Sequence, residues 1–382
     1  MKPVKLLRVT TVPMSMRLLL AGQPAYMRSR GMDVLLVSSE GPDWAAIPDI
    51  ETYPVYKIRM VRPVSLWRDL WALWSLIRLF RKVRPDIVHS HTPKAGLLAM
   101  LAGRLTGVKV RMHTVAGLPL MGKQGWSRQV LVWAEKLTYA CATMVYPNSV
   151  RLESYLKKEG FTRPGKLKVI AGGSTNGINT EYFRPTESLR RSAEGLREVW
   201  GIGSGELVFV YVGRIVKDKG INELVRAFDA LIHPVHLLLV GSFEDDLDPI
   251  DEVARRIIEA HPRIHVAGFA ADVRPYLCAS DVLVFPSYRE GFPNVPLQAG
   301  CLGLPCIVSD INGCNEIIIP EVNGLIIPPR DSNALRLAME RMATEDTLRL
   351  RCGEASRELI VERYDQMHVW EALYQEYQRL LV

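Results

Sequence analysis

Val282-Leu283-Val284-Phe285-Pro286-Ser287-Tyr288-Arg289-Glu290-Gly291-Phe292-Pro293-Asn294-Val295-Pro296-Leu297-Gln298-Ala299-Gly300 reads as a buried strand, a tight turn and the opening of a helix. The four apolar residues at its start suit a strand covered on both faces, as parallel sheets require. The helix is expected from about 295 to 302, with Pro296 in the first turn, where a missing N–H costs little. Its first backbone N–H groups and the positive end of its dipole then face outward from the strand end, a ready place for an anion. Glu290 sits at the lip of that place, and Gln298 follows eight residues on, within the helix.

Working outward, strands and helical patterns alternate almost from end to end, which predicts an α/β fold with parallel sheets. In the first half, Leu6–Thr11, Val34–Ser38, Ile87–His89, Val108–His113 and Thr143–Tyr146 read as strands, with helices at about 65–83, 94–106, 127–141 and 150–158. A loop rich in glycine and asparagine follows (Gly172, Gly173, Asn176, Gly177, Asn179), and the polar stretch near 185–205 reads as the domain boundary. A fresh series then begins with Leu207–Val212, His236–Val240, Ile264–Val266, Val282–Phe285, Cys306–Val308 and Gly324–Ile327. The expectation is two tandem, doubly wound, Rossmann-like domains facing a cleft. The first spans 1–180, with the terminal helix 366–382 packing back on it, and the second spans 181–365. Ligands of such sheets sit beyond the carboxyl ends of the strands.

Leu207–Val212 ends in Gly213-Arg214-Ile215-Val216-Lys217-Asp218-Lys219-Gly220. Gly213 allows close backbone approach, while Arg214 and Lys219 bring two cations to the mouth of the site. Arginine grips a diphosphate through two nitrogens and lysine acts as a point charge. A merely solvated basic turn is the plain alternative. In the first domain, His89-Ser90-His91-Thr92-Pro93-Lys94 and Met112-His113-Thr114 both follow strand ends, where functional groups collect. Lys94, at a helix start, could meet an acceptor phosphate, with plain solvation the safer reading.

The order Gly213-Arg214, Lys219-Gly220, Gly268-Phe269, Asp272-Val273-Arg274, Ser280-Asp281, Pro286-Ser287 and Glu290-Gly291-Phe292-Pro293 resembles family 4 of the retaining GT-B-fold glycosyltransferases. The resemblance extends to Arg84-Pro85-Asp86-Ile87-Val88-His89 and Asn176-Gly177-Ile178-Asn179, so it spans nearly the whole chain. It implies that Arg214 and Lys219 bind the diphosphate of a nucleotide-sugar donor, and that Gly268 and Phe269 lie by the base. It implies that Glu290 contacts the transferred sugar, and that the backbone from Gly291 through Phe292, Pro293 and Asn294 to Val295 holds phosphate or sugar. His113 would lie beside the transferred sugar and the acceptor. Two departures stand out. The family commonly carries a second glutamate where this chain has Gln298, whose amide carbonyl still accepts a ribose hydroxyl. Its glycine-rich turn after the first strand is altered to Val12-Pro13-Met14-Ser15-Met16-Arg17.

Charge is divided unevenly. Residues 1–180 hold 27 Lys and Arg against 10 Asp and Glu, a net of +17, and residues 181–382 hold 21 against 31, a net of −10. A basic half expects something anionic. Trp67, Trp71 and Trp74 recur at i, i+4 and i+7 in a segment with Arg59, Arg62, Arg68, Arg78, Arg81, Lys82 and Arg84 against one acid, Asp69. Tryptophan with arginine suits the headgroup zone of an anionic bilayer; tryptophan packed as core on the sheet is the commoner arrangement. The start of the chain lacks a signal-peptide pattern, and the charge-free stretch Phe292–Ser309 contains three prolines and is no membrane span. The expectation is a cytoplasmic enzyme, peripheral on the inner face of the cytoplasmic membrane, that moves an N-acetylhexosamine from a UDP-sugar to a polyprenyl-diphosphate-linked saccharide. A nucleotide-sugar epimerase on the same plan and a non-catalytic nucleotide-sugar binder are the alternatives. No nucleic-acid motif occurs. No cofactor or metal is called for: Asp246-Leu247-Asp248 lies in a polar loop leading into a helix, where a solvated loop with a helix cap is the simpler reading. Six scattered cysteines without metal-ligand spacing read as reduced.

Overall fold

The computed structural model describes residues 2–61, 65–118, 120 and 124–382. Arg62, one of the cations near the tryptophans, lies outside the described residues. The chain divides into two units, Met1–Gly177 with Gln366–Val382, and Ile178–Asp365.

The first unit carries β1 (Lys5–Val9), β2 (Asp33–Ser38), β3 (Val55–Lys57), β4 (Ile87–Ser90), β5 (Val110–Val115) and β6 (Met144–Pro147). Its helices are α1 (Pro13–Leu19), α2 (Gln23–Ser29), α3 (Leu66–Val83), α4 (Pro93–Thr106), α5 (Gly125–Cys141) and α6 (Val150–Lys158). The second unit has strands β7 (Val208–Val212), β8 (His236–Val240), β9 (Ile264–Gly268), β10 (Val282–Phe285), β11 (Cys306–Ser309) and β12 (Gly324–Ile327). Helices α7 (Glu187–Val199), α8 (Ile221–Asp229), α9 (Glu252–Ala260), α10 (Arg274–Cys278), α11 (Asn294–Cys301), α12 (Cys314–Ile317), α13 (Ser332–Thr344) and α14 (Asp346–Tyr364) belong with them, and α15 (Gln366–Leu381) ends the chain.

Each unit holds one six-stranded parallel sheet. The orders are β3-β2-β1-β4-β5-β6 and β12-β11-β10-β7-β8-β9, the same doubly wound topology twice. Central strands are apolar throughout because both faces are covered: every residue of β7 and of β10 is buried. In each sheet the winding reverses between two central strands, β1 and β4 in one and β7 and β10 in the other. Binding groups collect at such a reversal.

The polar stretch near 185–205 is not a linker. Residues 187–199 form α7, with the Thr186 hydroxyl accepting the Leu189 N–H at 3.3 Å as its cap. Leu189 and Ala193 are its buried face, a sparse stripe that six charged residues between 187 and 198 obscure in the sequence. The strand β3 and the short helices α1, α2, α10 and α12 were also absent from the sequence reading, since three to seven residues are too few to show a period.

The terminal helix α15 is held to the first sheet by buried polar contacts. Arg8, wholly buried in β1, donates to the Tyr377 hydroxyl at 2.6 Å and to the Gln23 side-chain carbonyl. Glu376 accepts from the Tyr146 hydroxyl at 2.8 Å and from Lys168 at 2.6 Å. Burial alone would push the Glu376 carboxyl upward, but the hydrogen bonds from Arg379, Lys168 and Tyr146 outweigh it and hold it at about 2.

Candidate functional site

The candidate donor site is built at the carboxyl ends of β7 and β10. After β7 the chain turns at Gly213, Arg214 leaves the sheet, and a single 3-10 turn over Lys217–Lys219 delivers Lys219. Gly220 closes that turn at φ 74°, and a Cβ there would lie 2.1 Å from the Pro286 carbonyl oxygen. Only glycine lets the two loops touch at this point.

This contact brings together the residues that the sequence separates by seventy positions. Lys219 Nζ forms a hydrogen-bonded ion pair with Glu290 Oε1, and both side chains are 17% exposed. The buried Ser287 hydroxyl donates to the same Glu290 oxygen at 3.1 Å. Asp218 accepts Arg289 at 3.1 Å, and the Tyr288 N–H donates to the Asp218 carbonyl at 2.9 Å, which locks one loop to the other. Arg214 is half exposed and paired with Glu244 at 2.8 Å. The Tyr211 hydroxyl donates to the Arg214 carbonyl at 2.7 Å; burial, with Glu290 adding to it, pushes this phenol well above its usual range and keeps it a neutral donor.

Helix α11 begins at Asn294, immediately after the Glu290 turn. Pro293 occupies its cap position and no side chain caps it. Of its first three residues, Asn294 and Val295 carry N–H groups and Pro296 does not. These donors and the helix dipole make the start of α11 a candidate place for an anion, with Lys219 held by Glu290 and Arg214 by Glu244 on the neighbouring loops. Gln298 is half-buried one helical turn beyond Asn294. Gly291 and Phe292 form the turn itself. The Phe292 ring packs on Tyr364 with centroids 5.4 Å apart, which leaves its backbone as the part available to a ligand. Gly268 ends β9 with open space beside its α-carbon, and Phe269 is exposed next to it. A flat aromatic side chain there is available to stack on a base.

Asp246-Leu247-Asp248 does other work. Asp248 accepts the Asp218 N–H at 2.7 Å and so supports the Lys217–Lys219 turn, while Asp251 caps α9 by accepting the Ala254 N–H at 2.9 Å. Ser287, Glu244 and Asp218 are the participants that sequence reasoning missed. Ser287 sat in plain view three residues before Glu290; Glu244 and Asp218 had no local signal, because their partners come from other loops.

The matching edge of the first unit is built from neutral histidines and hydroxyls with one ion pair beside them. His113 is buried, with Nδ1 2.9 Å from the Ser90 hydroxyl. Burial lowers it to about 4, so the ring is neutral at physiological pH. Its ring lies against α4 at Gly96, where a Cβ would come within 2.4 Å of Cε1. His89 is held between the hydroxyls of Tyr377 at 2.7 Å and Thr114 at 2.8 Å. His91 packs against it at a tilt, with ring centroids 4.1 Å apart. Lys94 is tied to Asp69 of α3 in a part-buried ion pair. The loop Gly291–Val295 and residues His113 and Lys94 thus belong to different units, and the structure groups Arg214, Lys219, Glu290, Gly291 and Asn294 in one.

The tryptophans of α3 do not pack as core. Trp67 is 82% exposed, Trp71 and Trp74 are exposed beside it, and the Arg78 guanidinium lies 4.5 Å from the Trp74 ring centroid. The core side of α3 is a separate set: Ala72, Leu76, Leu79, Phe80 and Val83. No described helix is long and apolar enough to cross a membrane.

Two parallel, doubly wound sheets in succession are the architecture that the strands and helices define. Comparison with known proteins gives the family. Residues 206–345 match the model of glycosyl transferases group 1, and residues 21–173 match a glycosyl transferase 4-like domain. The chain is 32% identical over 385 aligned positions to a capsular polysaccharide biosynthesis glycosyltransferase, CapM, of Staphylococcus aureus, covering 100% of this chain and 98% of that one. It is 28% identical over 345 positions to an Escherichia coli UDP-Gal:alpha-D-GlcNAc-diphosphoundecaprenol alpha-1,3-galactosyltransferase, covering 88% of this chain and 87% of the relative. Among solved structures, Anabaena HepE in complex with UDP superposes with a TM-score of 0.82 at 18% identity, over 99% of this chain and all of that one. Sucrose-phosphate synthase from Thermosynechococcus elongatus superposes with a TM-score of 0.78 at 22% identity, over 100% and 99% of the two chains. This chain belongs to the group 1 glycosyltransferases of family 4, and its fold is GT-B.

Proposed function

We propose that this glycosyltransferase moves a sugar, in the first instance an N-acetylhexosamine, from a UDP-sugar to a saccharide carried on a polyprenyl diphosphate, with retention at the anomeric carbon, in bacterial surface polysaccharide synthesis. The observation that carries the reading is the Lys219–Glu290 pair at the uncapped start of α11, with Arg214 beside it. Negative charge grows on the departing diphosphate as the glycosidic bond breaks. Fixed cations and helix N–H groups aimed at that charge supply the largest single contribution available to such a site. Glu290, already oriented by Lys219 and Ser287, accepts hydrogen bonds from the sugar, and Gln298 accepts one from the ribose. Phe269 stacks on the base.

The E. coli relative, named for transfer to a diphosphoundecaprenol-linked GlcNAc, and the S. aureus relative, named for capsular polysaccharide, support the lipid-linked acceptor and the pathway class. The exposed tryptophans of α3 and the basic first half support attachment to an anionic membrane surface, on the cytoplasmic face where nucleotide sugars are available. The test is a thermal-shift screen of UDP-, GDP- and ADP-sugars, followed by incubation of the best donor with and without lipid-linked acceptor. A UDP-sugar should raise the melting temperature and be consumed with acceptor. A new sugar isomer formed without acceptor would replace the reading with epimerisation, and stabilisation without turnover would leave a binding protein. Of the UDP-sugars, UDP-N-acetylhexosamine is expected to outperform UDP-galactose; the reverse order would move the donor to the hexoses.

A further inference from the structure

Helices α3, α4 and α5 lie side by side on one face of the first sheet, with α4 in the middle. A groove of about 470 Å³ opens over the start of α4, lined from all three helices and from the loop after β1. Most of its exposed wall is apolar, from Val12, Leu97, Val130, Leu131 and Ala134, with Asp69, Lys94 and Glu135 as its charged lining. A second apolar feature meets it. Trp126, Val130, Trp133 and Leu137 are all exposed on α5, spaced at i, i+4, i+7 and i+11, so they form one stripe along the helix. Trp126 is 82% and Trp133 73% exposed. Val130 belongs to both the stripe and the groove, so the stripe leads into it. On the other side of α4, the exposed face of α3 carries Leu66, Trp67, Leu70, Trp71 and Trp74. A contiguous apolar surface of this kind on a soluble fold marks a contact, and here it has two walls and a trough.

Charge says what the contact is. On α3 and α5 the residues Arg68, Arg78, Arg81, Lys82, Arg128 and Lys136 are basic, and the two helices hold two acids, Asp69 and Glu135, both of which turn into the groove. Apolar rings rimmed by cations suit an amphiphile with an anionic head in an anionic bilayer. Inside, Glu135 is buried with its Oε2 unpartnered, and Asp69 is neutralised through Oδ2 by Lys94, a third charged residue of the lining, with Oδ1 left over. Burial pushes the Glu135 carboxyl up to about 7, so it readily loses its charge in apolar surroundings.

We infer that this groove holds the hydrocarbon chain of the lipid-linked acceptor, which reaches it from the bilayer along the α5 stripe. The inference rests on the reading of the acceptor as a polyprenyl diphosphate and assigns the chain, as opposed to the saccharide or the diphosphate, to a place in the fold. It accounts for features that catalysis on a sugar does not use: the depth of the trough, its apolar walls, and a second tryptophan helix.

The test uses the full chain and a fluorescent farnesyl diphosphate analogue below its micellar concentration, with no vesicles present. The wild type should capture it, and excess inorganic diphosphate should displace little of it. Ala134→Trp, which fills the trough, should weaken capture at least tenfold. Should that variant fail to fold, Val130→Asp, a charge at a half-exposed rim position, decides instead with the same expected loss. Trp133→Ser lies outside the trough and should reduce binding to phosphatidylglycerol vesicles while leaving capture of the soluble analogue unchanged. Stabilisation by UDP, which belongs to the second unit, is measured on every variant. UDP binding by the wild type without capture of the farnesyl chain overturns the inference and leaves the transferase reading standing. Equal capture by wild type and the folded groove variants overturns it too, as does dimerisation through this face that excludes the analogue. Absence of UDP binding in the wild type counts against the transferase reading and not against the groove.

Discussion

The two units share one sheet topology and use it in opposite electrical styles. After β7 and β10, the paired loops of the second unit hold charge against charge: Lys219 on Glu290, Arg214 on Glu244, Arg289 on Asp218. Within the last residues of β4 and β5, not beyond them as the sequence pattern suggested, the first unit holds His89 and His113, kept neutral by burial and each bonded to a hydroxyl. The lesson is that the doubly wound scaffold fixes where a site lies and leaves its chemistry to the few residues beyond the strand ends. A net-acidic unit carries paired cations and carboxylates at its strand ends, and a strongly basic unit carries buried neutral histidines there. Net charge describes the surface a unit shows to a large partner, and the strand-end loops describe what it does to a small one.

Several experiments would break or sharpen that contrast. The largest effect is expected in the second unit. Lys219→Ala and Glu290→Ala should each lower kcat by about 10²–10³, the range for removing one preorganised group that meets developing charge. Each leaves its partner part-buried and unpaired, so Lys219→Ala and Glu290→Ala together should cost far less than the product of the two single losses. Steady-state kinetics of the double-variant cycle would measure this, and full additivity would mean that the pair is not one unit.

The next effect belongs to the first unit and depends on pH. His113 is held at about 4 and His89 and His91 well below their usual value, all by burial. A depressed histidine contributes stability that is complete above pH 6.5 and is lost as pH falls toward the folded value. For His113 the full loss is about 3 kcal/mol by linkage. Glu135 has the opposite sign. Its folded value of about 7 lies above the unfolded one, so its contribution is complete below pH 4.5 and is lost as pH rises through 7, again about 3 kcal/mol. Urea unfolding between pH 4 and 8 measures both. Glu135→Gln should remove the fall that Glu135 contributes between pH 4.5 and 7, and His113→Asn the rise that His113 contributes between pH 4 and 6.5.

A middle-sized effect concerns the exposed rings. Replacing Trp67, Trp71 or Trp74 by serine should lower partitioning to anionic vesicles roughly tenfold each, since each ring withdraws substantial apolar area from water. Flotation at physiological salt reads this directly, and an unchanged triple variant would remove the membrane from the first unit's role. The smallest effect is expected at Gln298. Restoring the carboxylate with Gln298→Glu should change KM for the donor by less than about threefold, because the amide already supplies one acceptor. A large gain in affinity would mean that this position had lost function.

The parallel sheets, the order of most strands and the strand-turn-helix around Glu290 follow from local physics: apolar runs covered on both faces, proline and glycine where helices stop and start, and an open helix N-terminus. These were legible in the sequence. Helix α7 was legible in principle, through Thr186 as cap, and was obscured because its charges outnumber its two buried side chains. Other features depended on partners far along the chain. The Lys219–Glu290 pair needs two loops brought into contact across Gly220, and the neutrality of His113 needs α4 laid on its ring. Helix α15 belongs with residues 1–177 because Tyr377 and Glu376 meet Arg8, Tyr146 and Lys168 there. The tryptophans make the same point. A period of 3.6 shows that Trp67, Trp71 and Trp74 share a face, but an α3 with apolar residues on two faces does not say which one meets the sheet. Packing decided that, by burying Leu76, Phe80 and Val83 and leaving the rings outside. Sequence determines elements through interactions within a few residues, and burial, which sets pairing, protonation and exposure, is a property of the assembled fold.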